Sequence, residues 1–571
     1  MESKRLILAV VISVFIFLGW NYLSYEMGWM PRPNEQAEQA AQNAAQAPSA
    51  QQLSGDIDAP ANASAHSDPS KAKLEAFVPT EGRLVTVETP LYTAVFHSSG
   101  GILRQFALKQ YRVSLDDNAP LVNLVSDTAA GQAPLGLLLD GMPTWTDTAW
   151  ALEGDNITLD ESGSGVLRFS TEIKGVRLVR ELSFAGSEYT IREKLRVISP
   201  EQKAVNLAFT FDATALSTDR KPSTFASLKY AVLGGDSPVA EESQYNVTRV
   251  AWYQNDKFDE ENSISDLAEG TLLQGNVKWM AVMNNYFMGA VSMNDESASA
   301  KGRWFSDVYE VLIGKTGVVT APGADAELEC AYFLGPKERK QLESTPNELQ
   351  KALDYGFFSI VAKPLVFLLD FFYNYVQNYG LAIVLMTIVI KLLFWPLSQK
   401  SYKSMQQMKQ LQPMMAKLRE KYKDDKEAMN REVMQLYKTY KVNPAGGCLP
   451  ILVQIPVFLG LYQALLNAIE LRHAAFISEL PFTSIPWLAD LASPDPLLIT
   501  PLVMGASMFL QQKITPMPGD PTQAKIMMFM PIIFTVLFLG FPSGLVVYWL
   551  VNNIISIGQQ WWQLRSTKAP A

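Results

Sequence analysis

Ala382-Ile383-Val384-Leu385-Met386-Thr387-Ile388-Val389-Ile390-Lys391-Leu392-Leu393-Phe394-Trp395-Pro396 holds a single charge in fifteen residues. It belongs to Tyr379–Leu397, which reads as a membrane span, because about 20 such residues cross the roughly 30 Å of bilayer hydrocarbon. Lys391 is the anomaly. A cation at the centre of a transmembrane helix costs about 2.5–3.5 kcal/mol or more, so it is retained for a purpose or escapes to the nearer surface. Two readings stand at this point: a water-filled functional cavity, or a lysine stem snorkelling past Leu397 toward the polar interface.

Working outward, further apolar runs occupy Leu449–Ala468, Leu497–Gln511, Ile526–Phe541 and Gly544–Trp561, with the Phe541-Pro542-Ser543-Gly544 turn suited to a hairpin. None of these four runs contains Asp or Glu, so no carboxylate in them can neutralise Lys391. At the other end of the chain, Leu6–Leu23 is an uncharged run of 18 residues behind Lys4 and Arg5. It reads as an uncleaved signal anchor, since Gly28-Trp29-Met30-Pro31 offers no small-residue cleavage site. The count is six spans. Lys/Arg bias sets their direction. Residues 400–441 carry eleven basic and five acidic residues, whereas 469–496 carry one Arg or Lys against four carboxylates. The basic loop and both termini are thus expected in the cytoplasm. Tyr355–Val376 is apolar enough for a seventh span but carries Lys363, Pro364 and Asp370 and would reverse the parity, so it is expected to lie along the outer surface as an amphipathic helix.

Between the first two runs the pattern changes. Residues 25–73 form an Ala/Gln/Pro-rich linker. From there to about residue 345 the period becomes two, with strands expected at Leu84–Glu88, Tyr92–His97, Val176–Phe184, Tyr189–Ile198 and Val205–Phe211. This is a large all-β domain of antiparallel sandwich type on the outer side. A sugar-processing role would need paired carboxylates in a cleft, which sequence alone cannot pair; the lone His97 reads as structural, and the domain as a scaffold.

The 571 residues therefore describe a multi-domain membrane protein: an α-helical polytopic core of six spans plus a large all-β domain. The divisions are an anchor (1–24), the linker (25–73), the β-domain (74–345), the surface helix (353–376), a five-span core (377–565) containing a cytoplasmic helical hairpin (399–442), and a tail (566–571). A soluble one-domain enzyme is excluded. With three scattered histidines and two distant cysteines, Cys330 and Cys448, the chain predicts no zinc site, cofactor or disulfide framework. No Gly-x-x-x-x-Gly-Lys-Ser/Thr loop is present, and no inverted repeat points to a transporter.

Thr387, Gln454, Asn552 and Asn553 each read singly as interhelical glue, but together with Lys391 they describe a polar groove partway into the membrane. In the hairpin, Met405, Met408, Met415, Leu418 and Tyr422 recur at helical spacing, and Met429 opens a second stripe. Either the stripes pack on each other, or the methionines form a deformable contact surface for varied apolar segments. The basic surplus suits anionic lipid or ribosomal RNA.

Asn443-Pro444-Ala445-Gly446-Gly447-Cys448-Leu449-Pro450, Gln454-Ile455-Pro456-Val457-Phe458 and Phe541-Pro542-Ser543-Gly544-Leu545 closely resemble the YidC/Oxa/Albino family of membrane protein insertases, in its Gram-negative form. The resemblance covers the whole chain. It implies an inner-membrane, ATP-independent insertase and chaperone that is not an enzyme. Its groove would be open to cytoplasm and lipid, with Lys391 standing where many members have arginine. Thr387 matches a functionally sensitive threonine, and Trp549, with Tyr548 beside it, matches a substrate-contacting aromatic. The resemblance further implies a periplasmic supersandwich and, as partners, nascent integral membrane proteins, the Sec translocon with its accessory subunits and membrane lipids. The ribosome and the signal-recognition-particle receptor are further candidates, and DNA is not. A Sec-associated chaperone without independent insertion, or a transporter, are the alternatives.

Overall fold

The computed structural model describes residues 77–78, 82–146, 148–216, 246–422, 425–440, 442, 449–515 and 521–566. The expected anchor and linker, the Asn443–Cys448 motif, Asp424 of the expected hairpin turn and residues 567–571 of the tail lie outside them.

Strands form where apolar residues alternate, and they assemble into sheets of five, nine and six strands. Leu84–Glu88 and Tyr92–His97 appear with those bounds, two of the others lengthen to Val176–Ala185 and Lys203–Ala213, and the expected Tyr189–Ile198 strand starts one residue later, at Thr190–Ile198. Pairing is antiparallel apart from Leu84–Glu88 beside Ile157–Thr158. At the Val176–Ala185/Thr190–Ile198 turn only glycine fits position 186, since a Cβ there would fall 1.7 Å from the Asp160 carbonyl oxygen.

Two charged clusters interrupt the apolar inner surface. Val176, Leu178, Leu182 and Phe184 are buried on one face of their strand, and Arg180 shares that row. Its Nε and Nη2 donate to the two Glu193 carboxylate oxygens at 2.6 and 2.8 Å, and Nη2 also donates to Leu135 O at 2.7 Å. Nη1 donates to Gly100 O, and Tyr332 donates its hydroxyl to Glu193. The pair is fully buried and almost saturated with hydrogen bonds.

The second cluster runs across the six-stranded sheet, where Asp212 faces Glu310 and Glu310 faces Arg303, all buried. Arg303 Nε reaches Glu310 Oε1 at 2.8 Å. Burial first, then the Glu310 charge, pushes the Asp212 carboxyl well above the carboxylate range, with Arg303 opposing. The folded chain therefore holds a proton that the unfolded chain releases above about pH 4. Stability from this group is present in acid and is lost as pH rises toward the raised folded value. Asp212→Asn keeps the shape without the charge. It is expected to raise the β-domain melting temperature at pH 8, with the gain shrinking toward pH 5. Thermal unfolding of the full chain at both pH values checks this; a variant less stable at pH 8 would contradict it.

The C-terminal region is helical: α1 (Ser359–Val376), α2 (Tyr379–Leu393), α3 (Trp395–Lys421), α4 (Lys426–Thr439), α5 (Leu449–Asn467), α6 (Ile499–Ile514), α7 (Pro521–Phe538) and α8 (Ser543–Ser566). One expected boundary needs correction. The run expected to continue to Leu397 stops at Leu393, where α2 and α3 meet at a bend of 61°. Pro396 explains it: in an unbroken helix it would lack the N–H for the Leu392 carbonyl and its ring would clash with that carbonyl, whereas the first turn of a new helix tolerates proline. Six spans are not established either. Among the described residues, one helix is long and apolar enough to cross a membrane unaided, Gly356–Val376, and a second if the bent α2–α3 pair counts as one span. That first helix is the stretch assigned above to the surface. α2 has 15 residues, about 22 Å at 1.5 Å per residue, short of the roughly 30 Å core.

α1 buries Ala362, Leu365 and Leu369 while exposing Ile360, Phe367 and Phe371. It is tied to the β-domain by Arg339–Asp370 at 2.8 Å. A second tie comes from the segment after α5, where Arg472 Nη2 donates to Arg112 O at 2.8 Å and Ile469 enters the β-domain core.

Candidate functional site

Lys391 lies in the last turn of α2, half-buried against α8. Its ammonium donates to Ser556 Oγ at 2.7 Å, and Ser556 in turn donates to its own helix at Asn552 O, 2.8 Å. Gln454 of α5 donates from Nε2 to Asn552 Oδ1 at 2.6 Å. Three helices thus converge on one polar cluster. Beside it lies a small cleft lined by Ile390, Lys391, Phe394, Leu397, Ser398, Val453 and Gln454. No ion pair to Lys391 occurs among the described residues, so its charge is met by a neutral hydroxyl.

The structure brings Lys391, Gln454 and Asn552 together with Tyr548 adjoining Gln454, and sets Thr387, Trp549 and Asn553 apart from them. Thr387 is fully buried and spends its hydroxyl on Ile383 O, 2.6 Å away on its own helix. Tyr548 is buried in the apolar core of the bundle. Trp549 sits edge-on to Phe458 at 4.9 Å and stacks with Phe534 at 5.9 Å. That aromatic cluster begins one turn from Asn552. Asn553 turns the other way, donating to Ser507 Oγ of α6 at 3.2 Å.

Sequence reading missed Ser556 and the residues beyond it. Gln559 donates to Trp395 O at 3.4 Å, Gln563 donates to Gln399 O at 3.2 Å, and Gln560 accepts from Thr515 Oγ1 at 3.2 Å. Gln560 and Gln563 also line a smaller cleft with Tyr402, Gln406, Ile514 and Leu564. The signal was available: positions 552, 556, 559/560 and 563 recur at helical spacing, which places neutral polar groups on one face of α8.

The basic hairpin is built by α3 and α4, with Asp425 capping α4 through the Ala428 N–H at 2.9 Å. Met415 is not available as a contact surface. It is buried, and Tyr437 of α4 donates its hydroxyl to the Met415 sulfur at 3.4 Å. Here the stripes do pack on each other. Met405, Met408 and Met429 are half-buried, and Met414 and Met434 are the exposed hairpin methionines. No group of three His, Cys, Asp or Glu suited to a metal occurs among the described residues.

Two family models match the chain: the YidC periplasmic domain over residues 84–368 and the 60Kd inner membrane protein over residues 371–570. The membrane protein insertase YidC of Oleidesulfovibrio alaskensis is 53% identical over 99% of this chain and 100% of its own length. That of Nitratidesulfovibrio vulgaris strain Hildenborough is 52% identical over the same shares. The chain belongs to the YidC family. A solved structure of an active YidC insertase with its first transmembrane domain resolved aligns over 87% of this chain and 95% of that one, at 18% identity and a TM-score of 0.35. In this YidC-family chain the β-sheets fall within the part matched as periplasmic domain, and the Lys391 cluster within the part matched as inner membrane protein.

Proposed function

We propose that the chain is an insertase and chaperone for integral inner-membrane proteins, acting on the Lys391 cleft without nucleotide. The supporting observation is the half-buried lysine that lines a cleft between apolar helices and has a hydroxyl in place of a counter-ion. Such a cation favours an acidic or polar tail, because burying an uncompensated charge costs several kcal/mol and a nearby opposite charge offsets part of it. The tail of a nascent chain enters the cleft, and its apolar span meets the bilayer along the exposed face of α7, where Ile532, Ile533, Val536 and Leu537 point outward. Partition of that span into lipid drives the reaction.

In this reading residues 1–24 anchor the chain and 25–73 link it to a periplasmic β-domain. α1 lies on the outer surface, five core spans follow, and both termini are cytoplasmic. Met405, Met408 and Met429 give the hairpin its residual adaptable surface, while Thr387, Tyr548 and Trp549 shape the groove wall. The Sec translocon, the ribosome and the signal-recognition-particle receptor are proposed partners. A photo-crosslinking residue at Gln454 is expected to capture the acidic tail of a stalled single-span substrate, and one at Ile533 its apolar span. Capture of neither, or of the tail at Ile533 alone, would contradict the route.

A further inference from the structure

Lysine is a compact charge on a flexible stem, and at this position it has a competing resting place. Lys391 lies two residues before the end of α2 at Leu393, so the stem can lean past the break toward the cytoplasmic interface and leave the cleft. A guanidinium can grip several acceptors at once; an ammonium holds its place only through whatever single groups it meets. Here that group is Ser556 Oγ at 2.7 Å. The direction of the contact is fixed, because the Ser556 proton is committed to Asn552 O at 2.8 Å and only the oxygen lone pairs face Lys391. The turn of α8 carrying the serine is itself held by Gln454 on Asn552 Oδ1. Ser556 is 2% exposed, so bulk water does not compete for its oxygen. An ammonium has three N–H donors. Ser556 takes one, no other hydrogen bond to Lys391 occurs among the described residues, and two remain for an incoming carboxylate. A carboxylate in place of Ser556 would cancel the charge, and an apolar residue would release it.

We infer that Ser556 is the positioning residue for the groove cation, holding Lys391 in the cleft with its charge uncancelled and thereby setting the preference for acidic over neutral tails. The assignment rests on the insertase reading above and identifies what selects its substrates.

The test compares wild type, Ser556→Ala, Ser556→Thr, Lys391→Ala and the Lys391→Ala/Ser556→Ala double variant, each as the full chain in liposomes. Two single-span substrates differ only in two tail residues, Asp or Asn, and protease protection of the tail is read. Ser556→Ala is expected to lower the acidic-to-neutral insertion ratio about tenfold, the size of one charge-assisted hydrogen bond. Ser556→Thr should restore most of the ratio, because it returns the hydroxyl. In the Lys391→Ala background, removing Ser556 should change nothing further, the non-additivity expected of two groups acting as one. An unchanged ratio in Ser556→Ala would overturn the assignment while leaving the insertase reading standing. An equal loss in both backgrounds would show a packing role and also overturn it. No insertion of either tail by wild type would sink the insertase reading itself.

Discussion

Lys391→Glu is expected to reduce insertion of a single-span protein with an acidic tail at least thirtyfold, and of its neutral-tailed counterpart about threefold or less. Lys391 borders the cleft with no ion-pair partner among the described residues, so the tail is the carboxylate available to it. At about 4 Å and an effective dielectric of 20, two unit charges interact by roughly 4 kcal/mol. Water in an open cleft reduces this, and half of it still corresponds to about thirtyfold. Charge reversal turns that attraction into repulsion for acidic tails alone. Lys391→Ala should fall between the two, and Lys391→Arg should retain most activity, because charge matters more here than fork geometry. Insertion rates from matched acidic and neutral substrates decide the matter; equal losses for both tails would remove electrostatics from the account.

Arg180→Ala is expected to destabilise the β-domain by about 3–5 kcal/mol, the usual result of leaving one member of a buried ion pair alone. The guanidinium holds Glu193 with two bonds and satisfies the carbonyl oxygens of Gly100 and Leu135, which lie far from it in sequence. Its loss strands a carboxylate that is fully buried, together with two acceptors. Replacing both partners, Arg180→Met with Glu193→Leu, should recover much of the stability, since the penalty comes from the orphaned charge and not from the absence of the pair. Denaturant unfolding of the full chain compares them. Because the groove is built by other residues, the insertion activity of Arg180→Ala at low temperature should exceed that of Lys391→Glu. A variant with wild-type stability would show that the pair contributes nothing.

What the sequence makes legible follows from periodicity. The alternation in Val176–Phe184 and the unbroken apolar run before Lys391 each select one local geometry, and the structure forms a strand and a helix there. Contacts between distant positions are less legible. Arg180 sits on an inward row and could have been flagged, but its partner Glu193 belongs to the next strand, two residues out of register, where only pairing reveals it. Asp212 and Glu310 are nearly a hundred residues apart and meet through sheet order. Ser556 and the glutamines of α8 were passed over for a chemical reason: neutral polar residues in an apolar helix usually serve as interhelical glue, and here some do. Helical spacing leaves Met415 as either a packing residue or a contact surface, and the tertiary fold decides between them by closing its stripe on the partner stripe of α4. The break at Phe394 could have been read from Pro396.

The central claim is that this chain alone, without nucleotide, moves a polar tail across a bilayer. Purified full-length protein should therefore be placed in liposomes without other proteins or ATP, supplied with a small single-span substrate, and assayed for protease protection of the translocated tail. The account predicts protection with wild type, and with a variant lacking most of residues 75–340. No protection from correctly oriented, folded protein until Sec components are added would contradict it and leave an accessory chaperone in its place.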